Sequence, residues 1–128
     1  MRLLLIDDQA ALRQSLRRVC EARGFDVVGE AGNGQEGIDL AASLEPDCII
    51  VDMRMPVMDG LQATSRIKQV LPDVVIVVLS AYDDASLRRE AIGAGATEWF
   101  LKGEPARVLC DRLTELVKAR DEAARAAS

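Results

Sequence analysis

The chain contains no histidine. That removes histidine-based catalytic triads, imidazole metal sites and any phosphohistidine role for this polypeptide. Positive charge is not in surplus: 16 Lys and Arg stand against 21 Asp and Glu, a net charge of −5. Wrapping nucleic acid needs a basic face, so this balance argues against it, and it suits a divalent cation wherever the acids converge. Long apolar runs are missing too. No stretch approaches the roughly 20 residues of a membrane span, and the opening MRLLLIDDQ reaches acids by residue 7, so it does not read as a signal peptide. The three cysteines (Cys20, Cys48, Cys110) lie far apart and form no C-x-x-C pair. Cys20 and Cys48 fall on apolar faces, where a reduced thiol packs as a small hydrophobe, so a reducing cytoplasm is the expected location.

What is present is an ordinary soluble composition, 128 residues with 49% apolar and 29% charged, fitting one domain. Two periods alternate along it. Short runs rich in Val, Ile and Leu at 3–6, 25–28, 48–51, 74–79 and 99–101 suit strands of a parallel sheet buried on both faces. Between them lie amphipathic stretches: Leu12, Leu16, Val19 and Cys20; Ile38, Ala41 and Ala42; Leu61, Thr64, Ile67 and Leu71; Leu87, Ala91 and Ile92; and Leu109, Leu113, Leu116 and Val117. Gly24, Pro46 and Pro72 stop the first three, and Pro105 suits the first turn of the last. The pattern predicts a doubly wound (βα)₅ fold, a five-stranded parallel sheet with helices on both faces.

All strands of such a sheet open their carboxyl ends on one edge, where doubly wound folds bind ligands. Strand one ends in Asp7-Asp8, strand three in Asp52, strand four in Ser80 and strand five in Lys102. Strand two, ending near Glu30, adds nothing specific. Taken singly, Asp7 or Asp8 reads equally well as a helix cap, Ser80 as a turn residue and Lys102 as a solvated lysine. Asp52 resists that treatment, because the following MRMPVMDG loop supplies its own helix cap in Asp59. Two carboxylates about 4 Å apart repel by about 4 kcal/mol at an effective dielectric of 20, so three together call for a cation. Oxygen ligands without His or Cys point to a hard ion such as Mg²⁺ or Mn²⁺. A metal and an amine flanking a carboxylate stabilise a transferring phosphoryl group, with Asp52 as nucleophile.

The set IDD, VDMRMPVMDG, LSA and GATEWFLK resembles the receiver domain of two-component response regulators, with its flavodoxin-like fold, over residues 2 to about 119. The resemblance implies that Asp52 accepts a phosphoryl group from the phosphohistidine of a sensor kinase or phosphotransfer protein. It implies that Asp8, Asp52 and the backbone carbonyl of Arg54 bind Mg²⁺, with Asp7 acting mainly through water. Ser80 and Lys102 then hold phosphoryl oxygens, and Ala81 leaves the phosphate room. In the family a strand-four hydroxyl and a strand-five aromatic move together on phosphorylation. Here these are Ser80 and Trp99, a tryptophan where Tyr or Phe is usual. Gly103 replaces the proline that often follows the lysine, so a cis bond is not expected there. Arg54 and Tyr82 flank the expected phosphate entrance. Such a domain catalyses its own phosphorylation and hydrolysis without turning over a metabolite.

Two other readings stand beside this one. GNGQEG, residues 32 to 37, is a literal G-x-G-x-x-G, with Asp52 falling 20 residues after Gly32; a nucleotide-binding module follows from it, although a complete βα unit precedes the motif. A receiver-like interaction domain without phosphorylation is the other. VVGEAGNGQEGI and GATEWFLK look most like receivers of the NarL/LuxR type, which control transcription. Residues 1–119 are thus expected to form the receiver and 120–128 a helix extension or the start of a linker. The segment is expected to bind neither nucleic acid nor membrane, and dimerisation on phosphorylation is expected through its helical faces.

Overall fold

The computed structural model describes residues 1–127. Five strands, β1 (Arg2–Ile6), β2 (Asp26–Ala31), β3 (Cys48–Asp52), β4 (Val75–Ser80) and β5 (Glu98–Leu101), alternate with five helices. The helices are α1 (Ala10–Ala22), α2 (Gly34–Leu44), α3 (Gly60–Val70), α4 (Ala85–Gly93) and α5 (Ala106–Ala127). Every strand pair is parallel and the sheet order is β2-β1-β3-β4-β5. The chain winds outward from β1 to β2 and then crosses back to β3, so the order reverses between β1 and β3.

Burial follows position in the sheet. Every residue of β3 and β4 is buried, which explains their unbroken apolar runs, since both faces carry helices. β2 and β5 are edges and only partly covered, so the expectation of burial on both faces holds for the interior strands and not for these. Alternate side chains feed two cores. Leu3, Leu5, Ile50, Val77 and Leu79 meet Leu16, Cys20, Leu109 and Leu113 of α1 and α5. Leu4, Ile6, Ile49, Val51, Ile76 and Val78 meet Ala41, Ile67, Ala91 and Trp99 on the other side. Each such aliphatic side chain contributes about 1.5–3 kcal/mol by leaving water.

Local chemistry sets the helix ends. The Asn33 side chain caps α2, Asp84 caps α4, and Asp59 forms a reciprocal capping box with Gln62 at α3. Gly24 takes φ +90° just after α1. Pro105 immediately precedes α5, and its carbonyl accepts from the amides of Val108 and Leu109. Two predicted stripe members turn outward, Ala42 on α2 and Ile92 on α4. On α2 the buried face instead runs through Gly34, Gly37 and Ala41.

That face accounts for the glycine loop. A Cβ on Gly37 would meet Ile6 Cγ1 at 3.0 Å, and one on Gly34 would meet Met58 Sδ at 2.9 Å. Both glycines let α2 lie close against β1 and the β3–α3 loop. The loop follows the edge strand β2, not the reversal between β1 and β3 where doubly wound folds place ligands. The cysteines also depart from their sequence separation: Cys20 and Cys110, 90 residues apart, bring their sulfurs to 3.2 Å between α1 and α5. Burial pushes the Cys48 thiol up to about 12.

Candidate functional site

The reversal in strand order brings the ends of β1 and β3 side by side, with Ile6 opposite Val51. Asp7 and Asp52 therefore emerge next to each other, and Asp8 follows one residue on. Carboxylate oxygens of Asp7, Asp8 and Asp52 lie within 4.8 Å of one another. Asp7 and Asp52 are each 3% exposed and Asp8 is open to solvent. Strands β4 and β5 complete the edge, with Ser80 opposite Leu101. The Lys102 amide donates to the Ser80 carbonyl at 2.8 Å, and Lys102 Nζ reaches Asp52 Oδ1 at 2.8 Å. Asp8, Asp52, Arg54, Ser80, Tyr82 and Lys102 share an open cleft of about 200 Å³. All five strand-end residues singled out from the sequence thus meet in one place.

The electrostatics is that of an acid cluster only partly offset by Lys102. Burial raises the Asp52 carboxyl above its usual range, Lys102 opposes that, and Asp8 adds to it. A backbone hydrogen bond from Arg54 also favours the charged form. Asp7 is likewise raised, first by burial and further by Asp52 and Asp8. Its Oδ1 accepts from the Gln9 amide at 2.8 Å, while Oδ2 is buried with no hydrogen-bond partner. A buried carboxylate oxygen without a donor, turned among two other carboxylates, is the environment a hard cation satisfies. The residues present fit such an ion.

The capping reading of Asp7 and Asp8 is resolved by geometry. The N-cap of α1 is Gln9, which makes no side-chain cap; Asp7 reaches forward only to the Gln9 amide, and Asp8 caps nothing among the described residues. Ser80 does behave as a turn residue here. Its hydroxyl accepts from the Tyr82 amide at 3.0 Å and donates to the Tyr82 carbonyl at 3.2 Å. Trp99 is buried, 7% exposed, in the core shared with α4. The Arg54 guanidinium stacks over the Tyr82 ring at 4.9 Å across the cleft mouth. No cis peptide occurs among the described residues.

Two contributions lie beyond the strand-end set; the sequence marked the first only as part of the loop after strand three and passed over the second. Gly60 is one: a Cβ there would run into the Asp52 carbonyl and lie 2.8 Å from Met53 Cα, so only glycine lets α3 start against the strand that carries Asp52. The Gly60 amide donates to the Met53 carbonyl at 2.8 Å, closing the intervening loop. Glu30 is the other. It is paired with Arg13 at 3.2 Å and with Arg17 at 2.7 Å, and Arg13 donates a short hydrogen bond to the Asp7 carbonyl. The i, i+4 spacing of the two arginines on α1 was the available signal.

Fold and site together define a doubly wound single-sheet α/β protein with an acidic pocket opposed by a lysine at its topological switch point. Residues 3–114 match the family model of the response regulator receiver domain, and the chain belongs to that family. It is 37% identical over 109 residues to the chemotaxis protein CheY of Thermotoga maritima, covering 84% of this chain and 91% of that one. It is 40% identical over 114 residues to the transcriptional regulatory protein LiaR of Bacillus subtilis, covering 88% of this chain and 54% of LiaR. The signal receiver domain of the response regulator NarL from Mycobacterium tuberculosis superposes with a TM-score of 0.78 at 30% identity, over 97% of this chain and 95% of that one. The chain is a receiver domain of two-component response regulators, and it spans about half the length of LiaR. No described helix is long and apolar enough to cross a membrane.

Proposed function

We propose that Asp52 is the phosphoacceptor of this receiver and that Asp7, Asp8, Asp52 and the Arg54 backbone carbonyl hold Mg²⁺ or Mn²⁺ beside it. The observation that carries this reading is the convergence of Asp7, Asp8 and Asp52 within 4.8 Å on the side of the sheet where Lys102 contacts Asp52 at 2.8 Å. When bound, the ion supplies positive charge against the acids and the phosphoryl oxygens.

The chain's own groups do the rest. The buried strand β3 holds the Asp52 carboxylate in place as the nucleophile. One of its oxygens forms the new bond to phosphorus while the bond from phosphorus to the donor imidazole nitrogen breaks. Lys102 Nζ, already on Asp52, turns to a phosphoryl oxygen as charge moves outward. The Ser80 hydroxyl gives up the Tyr82 carbonyl to donate to another oxygen, which loosens the turn leading into α4. Ser80 pairs with Leu101, two residues beyond Trp99, so that shift reaches the packing of Trp99 against the α4 side of the core. Hydrolysis by water entering past Arg54 and Tyr82 resets the switch, so the domain catalyses its own transfer and dephosphorylation and no other reaction.

The partner is a sensor histidine kinase or phosphotransfer protein in the cytoplasm, and the output is transcription, following the similarity to the transcriptional regulatory protein LiaR. Residues 1–119 form the receiver and 120–128, of which Ser128 lies outside the described residues, extend its last helix or open a linker, with dimerisation on phosphorylation through helical faces. The deciding experiment is incubation with acetyl phosphate and Mg²⁺, read by intact mass. Wild type gains one phosphoryl group and Asp52→Asn gains none. A wild type that stays unmodified across pH and Mg²⁺ concentration overturns the assignment, as does an Asp52→Asn variant that is modified equally.

A further inference from the structure

The edge strand β2 carries no group into the acidic cleft, yet Glu30 near its end is tied by side chains to the residue that opens the cluster. Arg13 Nη1 donates a short hydrogen bond to the Asp7 carbonyl. Arg13 Nε donates to Glu30 Oε1 at 3.2 Å, and the other Glu30 oxygen accepts from Arg17 Nη1 at 2.7 Å. Arg13 and Glu30 side chains are 19% and 23% exposed, so this pair is largely shielded and unlike a solvated surface ion pair.

The Asp7 carbonyl lies in the peptide plane that joins Asp7 to Asp8. That plane is rigid, so a donor fixed on its oxygen sets the Asp7 ψ angle and with it the direction in which Asp8 leaves. Asp7 is held at two further points, its amide donating to the Ala31 carbonyl at 3.0 Å and its Oδ1 accepting from Gln9 at 2.8 Å. The Gln9 carbonyl in turn accepts from the Arg13 amide at 3.0 Å, closing a ring from Asp7 through Gln9 and Arg13 back to Asp7. Of the Asp7 carboxylate, Oδ2 is left without a partner. Arg13 thus meets Asp7 at its backbone carbonyl and not at its carboxylate.

We propose that Arg13, anchored by Glu30, is a positioning residue that sets the relative orientation of Asp7 and Asp8 for the divalent cation. The inference rests on the reading of Asp7, Asp8 and Asp52 as a cation site. It assigns β2 a task at the site: its glutamate holds the fork that holds the two acids. A guanidinium suits the position because one planar group spans the carbonyl and the carboxylate at once, which an ammonium on a flexible stem does not.

Mn²⁺ affinity, read from the paramagnetic resonance signal of unbound Mn²⁺, tests this on wild type, Arg13→Met, Arg13→Lys and Arg23→Met. Arg23, which caps the C-terminal end of α1, pairs with Asp111 at 2.8 Å away from the cleft and controls for the loss of an arginine ion pair. Arg13→Met weakens Mn²⁺ binding about tenfold, the usual scale for removing an outer support of a metal ligand. Arg13→Lys stays nearer to Arg13→Met than to wild type, and Arg23→Met matches wild type. Hydrogen exchange at the Asp8 amide, in the pinned peptide plane, quickens in Arg13→Met without metal. Wild-type affinity in Arg13→Met overturns the inference and leaves the cation site standing, and full rescue by Arg13→Lys overturns it in favour of a simple charge effect. A wild type that takes up no Mn²⁺ overturns the cation site and this inference with it.

Discussion

Lys102 Nζ stands 2.8 Å from Asp52 Oδ1, with the lysine side chain about a quarter exposed and the aspartate almost enclosed. The pair is lopsided. Burial is the largest influence on Asp52 and outweighs the lysine, so the carboxyl remains raised. Under the proposed function Lys102 is a movable counter-charge on Asp52. Lys102→Met is expected to slow phosphoryl uptake from acetyl phosphate about a hundredfold, the scale on which one preordained charge donor is lost. Time-resolved intact mass measures the rate, and an unchanged rate would remove Lys102 from the transfer.

Asp7 Oδ2 is buried without a partner and its carboxyl faces Asp52 and Asp8. Without divalent cation, Asp7→Asn should therefore raise stability by about 1 kcal/mol, the lower end of the cost of an unsatisfied buried polar group. Excess Mg²⁺ should reverse the order, because the native wild type gains a bound ion that its unfolded chain does not hold. Urea titrations with chelator and with Mg²⁺ provide both comparisons.

Glu30 gives a pH signature. Its hydrogen bond from Arg17, with Arg13 assisting, lowers its pKa below the ordinary 4.5. A depressed carboxylate contributes stability above its unfolded pKa and loses it as pH falls through the folded value. Wild type should thus exceed Glu30→Gln by a roughly constant amount from neutral pH down to about 4.5, with the gap closing below that. Arg17 is 41% exposed, which screens the pair and keeps the gap small, on the order of 0.5 kcal/mol. Thermal melts across pH 3 to 7, taken at about 0.1 M salt, follow it; a gap that widens in acid would contradict the assignment.

Two glycines should respond in opposite directions to alanine. At Gly60 a Cβ meets the Asp52 carbonyl and Met53 Cα, both backbone, and neither can move without displacing β3. Gly60→Ala is expected to cost about 3 kcal/mol, the upper range of overpacking in a tight core. Gly93, the last residue of α4, has nothing within 4 Å of an added Cβ. Gly93→Ala should stabilise by about 0.5 kcal/mol through the unfolded chain. Urea midpoints of both variants test the contrast.

The sequence by itself determined the succession of elements and the chemistry at their ends. The continuous apolar runs at 48–51 and 74–79 suit a strand covered on both faces, and the helical spacing of Leu12, Leu16, Val19 and Cys20 suits a helix. Once those periods are read, parallel winding leaves Asp7, Asp8, Asp52, Ser80 and Lys102 a single edge to share. Periodicity was a weaker guide where one face is open to water. The edge strands β2 and β5 are partly exposed, and Ile92 and Ala42 point outward because stripes on short helices tolerate a shift of a residue.

Contacts between groups distant in sequence and bound by no periodic rule were decided only in the tertiary structure. The 3.2 Å approach of Cys20 to Cys110 depends on how α1 and α5 lie across the same face of the sheet. The hold of Arg13 on Glu30 depends on β2 pairing beside β1, with the register shifting between Leu3 and Leu4. The need for glycine at position 60 arises from the approach of α3 to the backbone of Asp52. Residue type sets what a side chain can bond to, and local pattern sets which element it joins. Which partner it meets is decided by the packing of those elements, and here that packing turns three aspartates and a lysine into one site.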